Sequence, residues 1–220
     1  MSLFPVFLKL ESRPCVVVGA GRVAEGKIES LLTAEARVTV IAPEASLRVQ
    51  QWAEAGDLRW EQREYRDGDL AGAFLVVAGT STPAVNRAVF AEANAAGALC
   101  NAVDDPPFCD FYFPSVVRRG DLQIAISTGG ESPALAQRLR REIQEALPLD
   151  IGAWLKELGL LRREITAVEP ADEERRLFLH QLAQREVCGY EQCPSRLRAR
   201  LHAAERGLAP GARARNEGDS

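Results

Sequence analysis

Short runs of β-branched residues, apolar on both faces, alternate through the first half of the chain with longer stretches of helical period. Cys15–Val18, Arg37–Ala42, Leu58–Glu61, Phe74–Ala78 and Ala98–Val103 predict strands, and Val23–Ala34, Ala45–Ala55 and Pro83–Ala96 predict helices between them. Strands that are apolar on both faces need cover on both, and helical connections of about ten or more residues suit parallel pairing. Residues 1–112 are therefore expected to form an α/β domain, a Rossmann-type doubly wound parallel sheet.

The pattern changes after "DDPPFCDFYFP". Two strand-like runs, Phe111–Val117 and Leu122–Ser127, flank the turn signal Arg119-Gly120-Asp121 and predict a hairpin. In "STGGESPALAQRLRREIQEAL", Ser132 is placed to cap a helix and Pro133 to open it, where its missing N–H costs nothing. Residues 113–149 thus read as a small α+β region of hairpin and helix. Residues 150–206 read as a C-terminal helical domain, broken near Glu169-Pro170 and again from Gly189 to Pro194. Residues 207–220 lack apolar periodicity and read as a disordered tail.

Composition narrows the class of function. At 220 residues, 46% hydrophobic and 26% charged, the chain is an ordinary globular protein with one main domain and an appendage. Its net charge of −4 gives no reason to expect nucleic acid. No run reaches the roughly 18–20 apolar residues that span a bilayer, and "MSLFPVFLKLESRP" lacks the pattern of a secretory leader, so a cytoplasmic protein without membrane contact is expected. Five cysteines do not make a disulfide framework. Cys188 and Cys193, at C-x4-C with His180 upstream, fit structural zinc poorly, and neither His180 nor His202 lies in a ligand cluster. No resident metal is expected.

The stretch "CVVVGAGRVAEGK" brings the first chemistry. Between a strand and a helix, Gly19 allows the sharp bend and Gly21 clears the backbone for a pyrophosphate, while Ala24 fills the third small position. A dinucleotide site is expected, against the plainer reading of a tight turn. After the second strand, "APEAS" places Glu44 or the Pro43 backbone at the adenosine ribose, which favours NAD over NADP; Arg48 keeps that preference mild. In "LCNAVDDPPFCDFYFPSVV", Asn101, Asp104 and Asp105 follow the fifth strand at the carboxyl edge, where such folds place their chemistry. A rigid Asp-Pro turn with solvated carboxylates is the bland alternative.

Taken in order and spacing, "FPVFLKLESRPCVVVGAGRVAEGK", "VTVIAPE", "LCNAVDDP" and "FYFPSVVRRGDLQIAISTGGESPALAQRLRREI" resemble the precorrin-2 dehydrogenase family, the N-terminal module of siroheme synthase. The resemblance is close over residues 3–147 and looser beyond. It implies NAD-dependent oxidation of precorrin-2 to sirohydrochlorin, and in some members insertion of ferrous iron as well. It places Arg22, Val23, Pro43 and Glu44 on NAD and the essential aspartate on Asp104, as base or orienting carboxylate. Thr80 falls where the family lines its cofactor cleft, with a helix cap before Pro83 as the other reading, and Asn101 is counted with the cofactor contacts. Gly26 departs from the arginine common before Lys27. Thr128 stands where some relatives carry a phosphorylated serine. The chain is too short for the methyltransferase domain of longer relatives.

A substrate rich in carboxylates calls for arginines and helix-end donors. Arg118 and Arg119 on the hairpin are candidates, with Arg138, Arg140 and Arg141 behind them, against a solvated basic face balanced by Glu142 and Glu145. Ser127, Thr128, Gly129 and Gly130 form the loop preferred as a receiver for an anionic group. The resemblance marks residues 113–149 as a dimerisation region, through which the family pairs, so a homodimer with the active site near its interface is expected. A NAD-sensing module without chemistry is the rival reading, which the carboxylates of "NAVDDP" oppose.

Overall fold

The computed structural model describes residues 3–168 and 170–183. Contacts divide the chain into one unit over Ser2–Phe113 and a second from Pro114 onward.

In the first unit, β1 (Pro14–Val18), β2 (Arg37–Ile41), β3 (Arg59–Glu61), β4 (Leu75–Ala78) and β5 (Leu99–Ala102) form one parallel sheet in the order β3-β2-β1-β4-β5. Register aligns Val17 with Val40 and with Val77 across the three central strands. These valines face α1 (Arg22–Thr33) and α2 (Leu47–Glu54), packing with Ile28, Leu31 and Val49. Their neighbours Val16, Val18, Val76 and Ala78 face the other way, toward Val89 of α3 (Pro83–Ala95) and toward Leu70. The alternation of strand side chains thus divides between two layers of cover, and each fully buried valine contributes about 1.5–3 kcal/mol.

The connection from β3 to β4 carries no helix. Residues 62–74 are held instead by polar groups. Arg63 donates two hydrogen bonds to Asp69 at 2.7 and 2.8 Å. The Glu92 carboxylate on α3 accepts from Gly68 N, Leu70 N and the Tyr65 hydroxyl. This clamp drives the Leu70 side chain fully into the second layer.

Past β5, a 3₁₀ turn at Pro106–Phe108 leads to a stretch where a strand over Phe111–Val117 is expected. The strand begins only at Ser115. Phe111 and Phe113 pack on the first unit's core, and Asn101 Nδ2 holds the Phe111 carbonyl at 2.7 Å. Their alternating apolar pattern serves that core rather than the hairpin.

In the second unit, β6 (Ser115–Arg119) and β7 (Leu122–Ile126) form the antiparallel hairpin, turning at Gly120 with φ +58°. α4 (Pro133–Ala146) starts at Ser132, whose hydroxyl accepts Leu135 N at 3.2 Å. α5 (Ile151–Val168) and α6 (Glu173–Ala183) bury Ile165 against Leu182, and the helices part around Pro170 as the proline predicts. Cys188, Cys193, His202 and the expected tail over 207–220 lie outside the described residues.

Candidate functional site

The carboxyl edge of the parallel sheet gathers the turn after β1, the turn after β2 and the segments after β4 and β5. Gly19 closes β1 with φ +103°, and a Cβ on it would lie 2.6 Å from the Gly79 carbonyl oxygen. Only glycine fits there. Gly19 N donates to Ile41 O at 2.9 Å, and Ser46 N to Ala20 O at 3.0 Å, which ties the turn to β2 and to the start of α2.

Gly21 precedes α1 in ordinary extended backbone, with no atom within 4 Å of where its Cβ would be. No side chain caps α1, and the first helical bond runs from Glu25 N to Gly21 O. The first-turn N–H groups of Arg22, Val23 and Ala24 therefore face outward without helical partners, beside open space and the positive end of the helix dipole. That cradle fits a pyrophosphate. Arg22 and Val23 are exposed beside it, as are Pro43 and Glu44 after β2. Arg48 is engaged elsewhere: it pairs with Glu29 at 2.6 Å and lies over the Trp52 ring.

After β4, the Thr80 hydroxyl donates to Asn86 Oδ1 at 2.7 Å, and the Asn86 amide returns a bond to Thr80 O at 3.0 Å. Asn86 is buried, so this exchange pins the chain at the start of α3. Asn101 is also buried, its amide nitrogen committed to Phe111 O. A role for Asn101 in holding the loop over β5 is thus in place whatever else it touches.

The two aspartates after β5 differ. Asp105 pairs with Arg87 of α3 at 3.4 Å, and Arg87 lies over the Phe108 ring. Asp104 is exposed and stands in the left-handed region at φ +60°. That backbone is uncommon for a residue with a side chain, is tolerated best by Asp and Asn, and recurs at functional sites. Sequence reasoning missed a further member, Lys27 of α1. Its ammonium lies 4.1 Å from the centre of the Phe113 ring. Burial pushes the Lys27 ammonium below its ordinary range, and the Asp104 charge acts in the opposite sense.

Burial raises the Cys15 thiol to about 11 and the Cys100 thiol to about 12, so neither supplies a nucleophile near neutrality. Cys109, also raised, spends its thiol on the Ala102 carbonyl at 3.0 Å. Among the described residues no group of three His, Cys, Asp or Glu side chains is placed to hold a metal, and no helix is long and apolar enough to cross a membrane.

The remaining candidates lie in the second unit. Arg118 is exposed, whereas Arg119 donates to Gln144 O at 3.1 Å near the end of α4. In the loop before α4, Ser127 Oγ accepts Gly129 N at 3.1 Å and Thr128 Oγ1 accepts Ser132 N at 3.2 Å, with Gly129 and Gly130 both at positive φ.

Comparison with known proteins bears on the family and the fold. A family model described as "Putative NAD(P)-binding" matches residues 6–115, half of the chain, and one described as "Sirohaem biosynthesis protein central" matches residues 119–146. Siroheme synthase 1 of Aeromonas salmonicida is 38% identical over 189 residues, covering 86% of this chain and 40% of that protein. Siroheme synthase 1 of Cronobacter sakazakii is 42% identical over 178 residues, covering 81% and 38%. The chain thus spans about two fifths of the length of these curated relatives. A solved structure titled "SirC, precorrin-2 dehydrogenase" superposes with a TM-score of 0.77 at 26% identity, covering 93% of this chain and all of that one.

Proposed function

We propose a function from one premise: the chain belongs to the NAD(P)-binding family, in the branch that includes siroheme synthases and precorrin-2 dehydrogenase. The proposed reaction is the oxidation of precorrin-2 to sirohydrochlorin with NAD. The observation that carries it is the placement of an uncapped helix behind an open glycine turn on the same sheet edge as a carboxylate in strained backbone.

In this reading Gly19 and Gly21 shape the pyrophosphate turn, and the N–H groups after Gly21 bind it, with Arg22 and Val23 alongside. Glu44 accepts from the ribose hydroxyls and repels a 2′-phosphate, while Arg48 is held by Glu29 and Trp52. That pairing supports NAD over NADP. The bound nicotinamide supplies a hydride acceptor. Loss of two hydrogens from the macrocycle releases one hydride and one proton, and Asp104 receives the proton. Thr80 and Asn101 shape the cofactor side of the edge. Ser127, Thr128, Gly129, Gly130, Arg118 and Arg119 of the second unit are proposed to meet the substrate's carboxylates, Arg119 through whatever donors Gln144 leaves free.

A second activity is favoured by the names of the relatives: insertion of ferrous iron, as substrate, into sirohydrochlorin, with Asp104 again accepting protons from the pyrrole nitrogens. The protein is proposed to work as a cytoplasmic homodimer, which light scattering at micromolar concentration would show as twice the chain mass.

The test is anaerobic incubation with precorrin-2 and NAD, followed by the sirohydrochlorin spectrum. Wild type is expected to turn over and Asp104→Asn to lose at least about a hundredfold in rate, the scale of a lost general base. Asn tolerates the left-handed backbone, so the variant isolates the carboxylate. Folded wild type that binds NAD yet forms no product would instead favour a NAD-sensing module.

A further inference from the structure

Lys27 is a half-buried cation with unused bonding capacity. It sits one turn beyond Ala24 on α1, the helix that follows the glycine turn after β1. A Cβ placed on Gly79 would lie 3.7 Å both from the Ala24 methyl and from Val103 Cγ2, next in sequence to Asp104. The ammonium rests on the Phe113 ring at 4.1 Å, and that ring packs at a tilt against Phe111, centres 5.3 Å apart, which Asn101 ties to β5. Among the described residues it makes no hydrogen bond and no ion pair, so its three N–H donors have only a ring face and the more distant Asp104 charge to answer them. Arg48 and Arg87, by contrast, each have a carboxylate partner, Glu29 and Asp105.

A charged group moved out of water without a bonded partner is held at a cost, and an aromatic face offsets only part of it. An incoming carboxylate would supply the missing acceptor in a charge-assisted bond. Resting on the function proposed above, we infer that Lys27 is a substrate-binding residue whose ammonium receives a carboxylate of the tetrapyrrole and sets it beside Asp104. The diphosphate of the cofactor is met one turn earlier on α1, by backbone donors.

The experiment titrates sirohydrochlorin, and separately NAD, into wild type, Lys27→Met and Lys27→Arg, without turnover. Lys27→Met is expected to weaken sirohydrochlorin at least about tenfold, the scale of one lost charge-assisted bond, to leave NAD affinity within twofold, and to melt no lower than wild type, since it removes a partly desolvated charge. Lys27→Arg is expected to restore most of the affinity. Equal sirohydrochlorin affinity in Lys27→Met, or an equal loss for NAD, would overturn the assignment while leaving the dehydrogenase reading intact. Failure of wild type itself to bind sirohydrochlorin would overturn both.

Discussion

Two glycine turns, each leading into a helix, look alike in the sequence and are held in opposite ways. Gly19-Ala20-Gly21 is fixed from outside: β2 accepts its first N–H, and the Gly79 carbonyl leaves no room for a side chain on Gly19. Gly129-Gly130 has positive φ at both residues, yet no atom lies within 4 Å of either missing Cβ. It is organised from within, by the hydroxyls of Ser127, Thr128 and Ser132. The helices differ in the same sense. α4 satisfies one of its first-turn donors with Ser132, whereas α1 has no capping side chain and leaves its first-turn donors without a side-chain partner. Two glycines before a helix can therefore belong to a turn held by the surrounding packing or to one held by its own side chains, and here only the first leaves its helix without a capping side chain.

The contrast breaks most sharply at Gly19. Gly19→Ala meets both a backbone clash and a left-handed φ, and is expected to cost about 3 kcal/mol or more in urea unfolding, or to prevent folding. Gly21→Ala should separate binding from stability. Its backbone is ordinary and its Cβ enters open space, so the stability cost should be only that of alanine in place of glycine at a helix N-cap, about 0.5–1 kcal/mol. NAD affinity by calorimetry should fall at least about tenfold, because the methyl would occupy the space proposed for the pyrophosphate. Unaltered NAD affinity in a folded Gly21→Ala protein would reduce the turn to chain geometry.

The same contrast explains what the sequence could show. Five parallel strands were legible because Val16 to Val18 and Val76 to Ala78 are apolar on both faces, a pattern that leaves few alternatives to a covered sheet. The β3 to β4 connection was not, since "QREYRDGDLAGA" has no period and takes its shape from Glu92 on α3. Phe111 and Phe113 alternate like a strand but answer to a core assembled far upstream. At the site, glycines and aspartates announce themselves by type and position. The left-handed backbone at Asp104 and the seat of Lys27 on Phe113 do not, because both depend on where β5 ends relative to α1. Helical periodicity places Lys27 on α1 but cannot say what its ammonium touches. The commitments of Asn101 to Phe111 and of Arg119 to Gln144 were hidden for the same reason: their partners lie in other elements.

The smallest effect should come from the turn that is organised from within. Thr128 Oγ1 accepts Ser132 N at 3.2 Å, while the Thr128 carbonyl separately accepts Glu131 N at 3.1 Å. Thr128→Ala removes only the first bond, at a half-buried position where water can replace it, and leaves the Ser132 cap on Leu135 intact. The expected cost is about 0.5–1 kcal/mol in urea unfolding, and Thr128→Ser should recover it by keeping the hydroxyl. A loss several times larger would mean that this loop, like the one at Gly19, is fixed by something beyond its own side chains, and the distinction between the two turns would fail. If the loop also receives a carboxylate of the substrate, Thr128→Ala should raise the KM for precorrin-2 while leaving NAD affinity unchanged, since in this reading the cofactor's diphosphate is held at the uncapped start of α1.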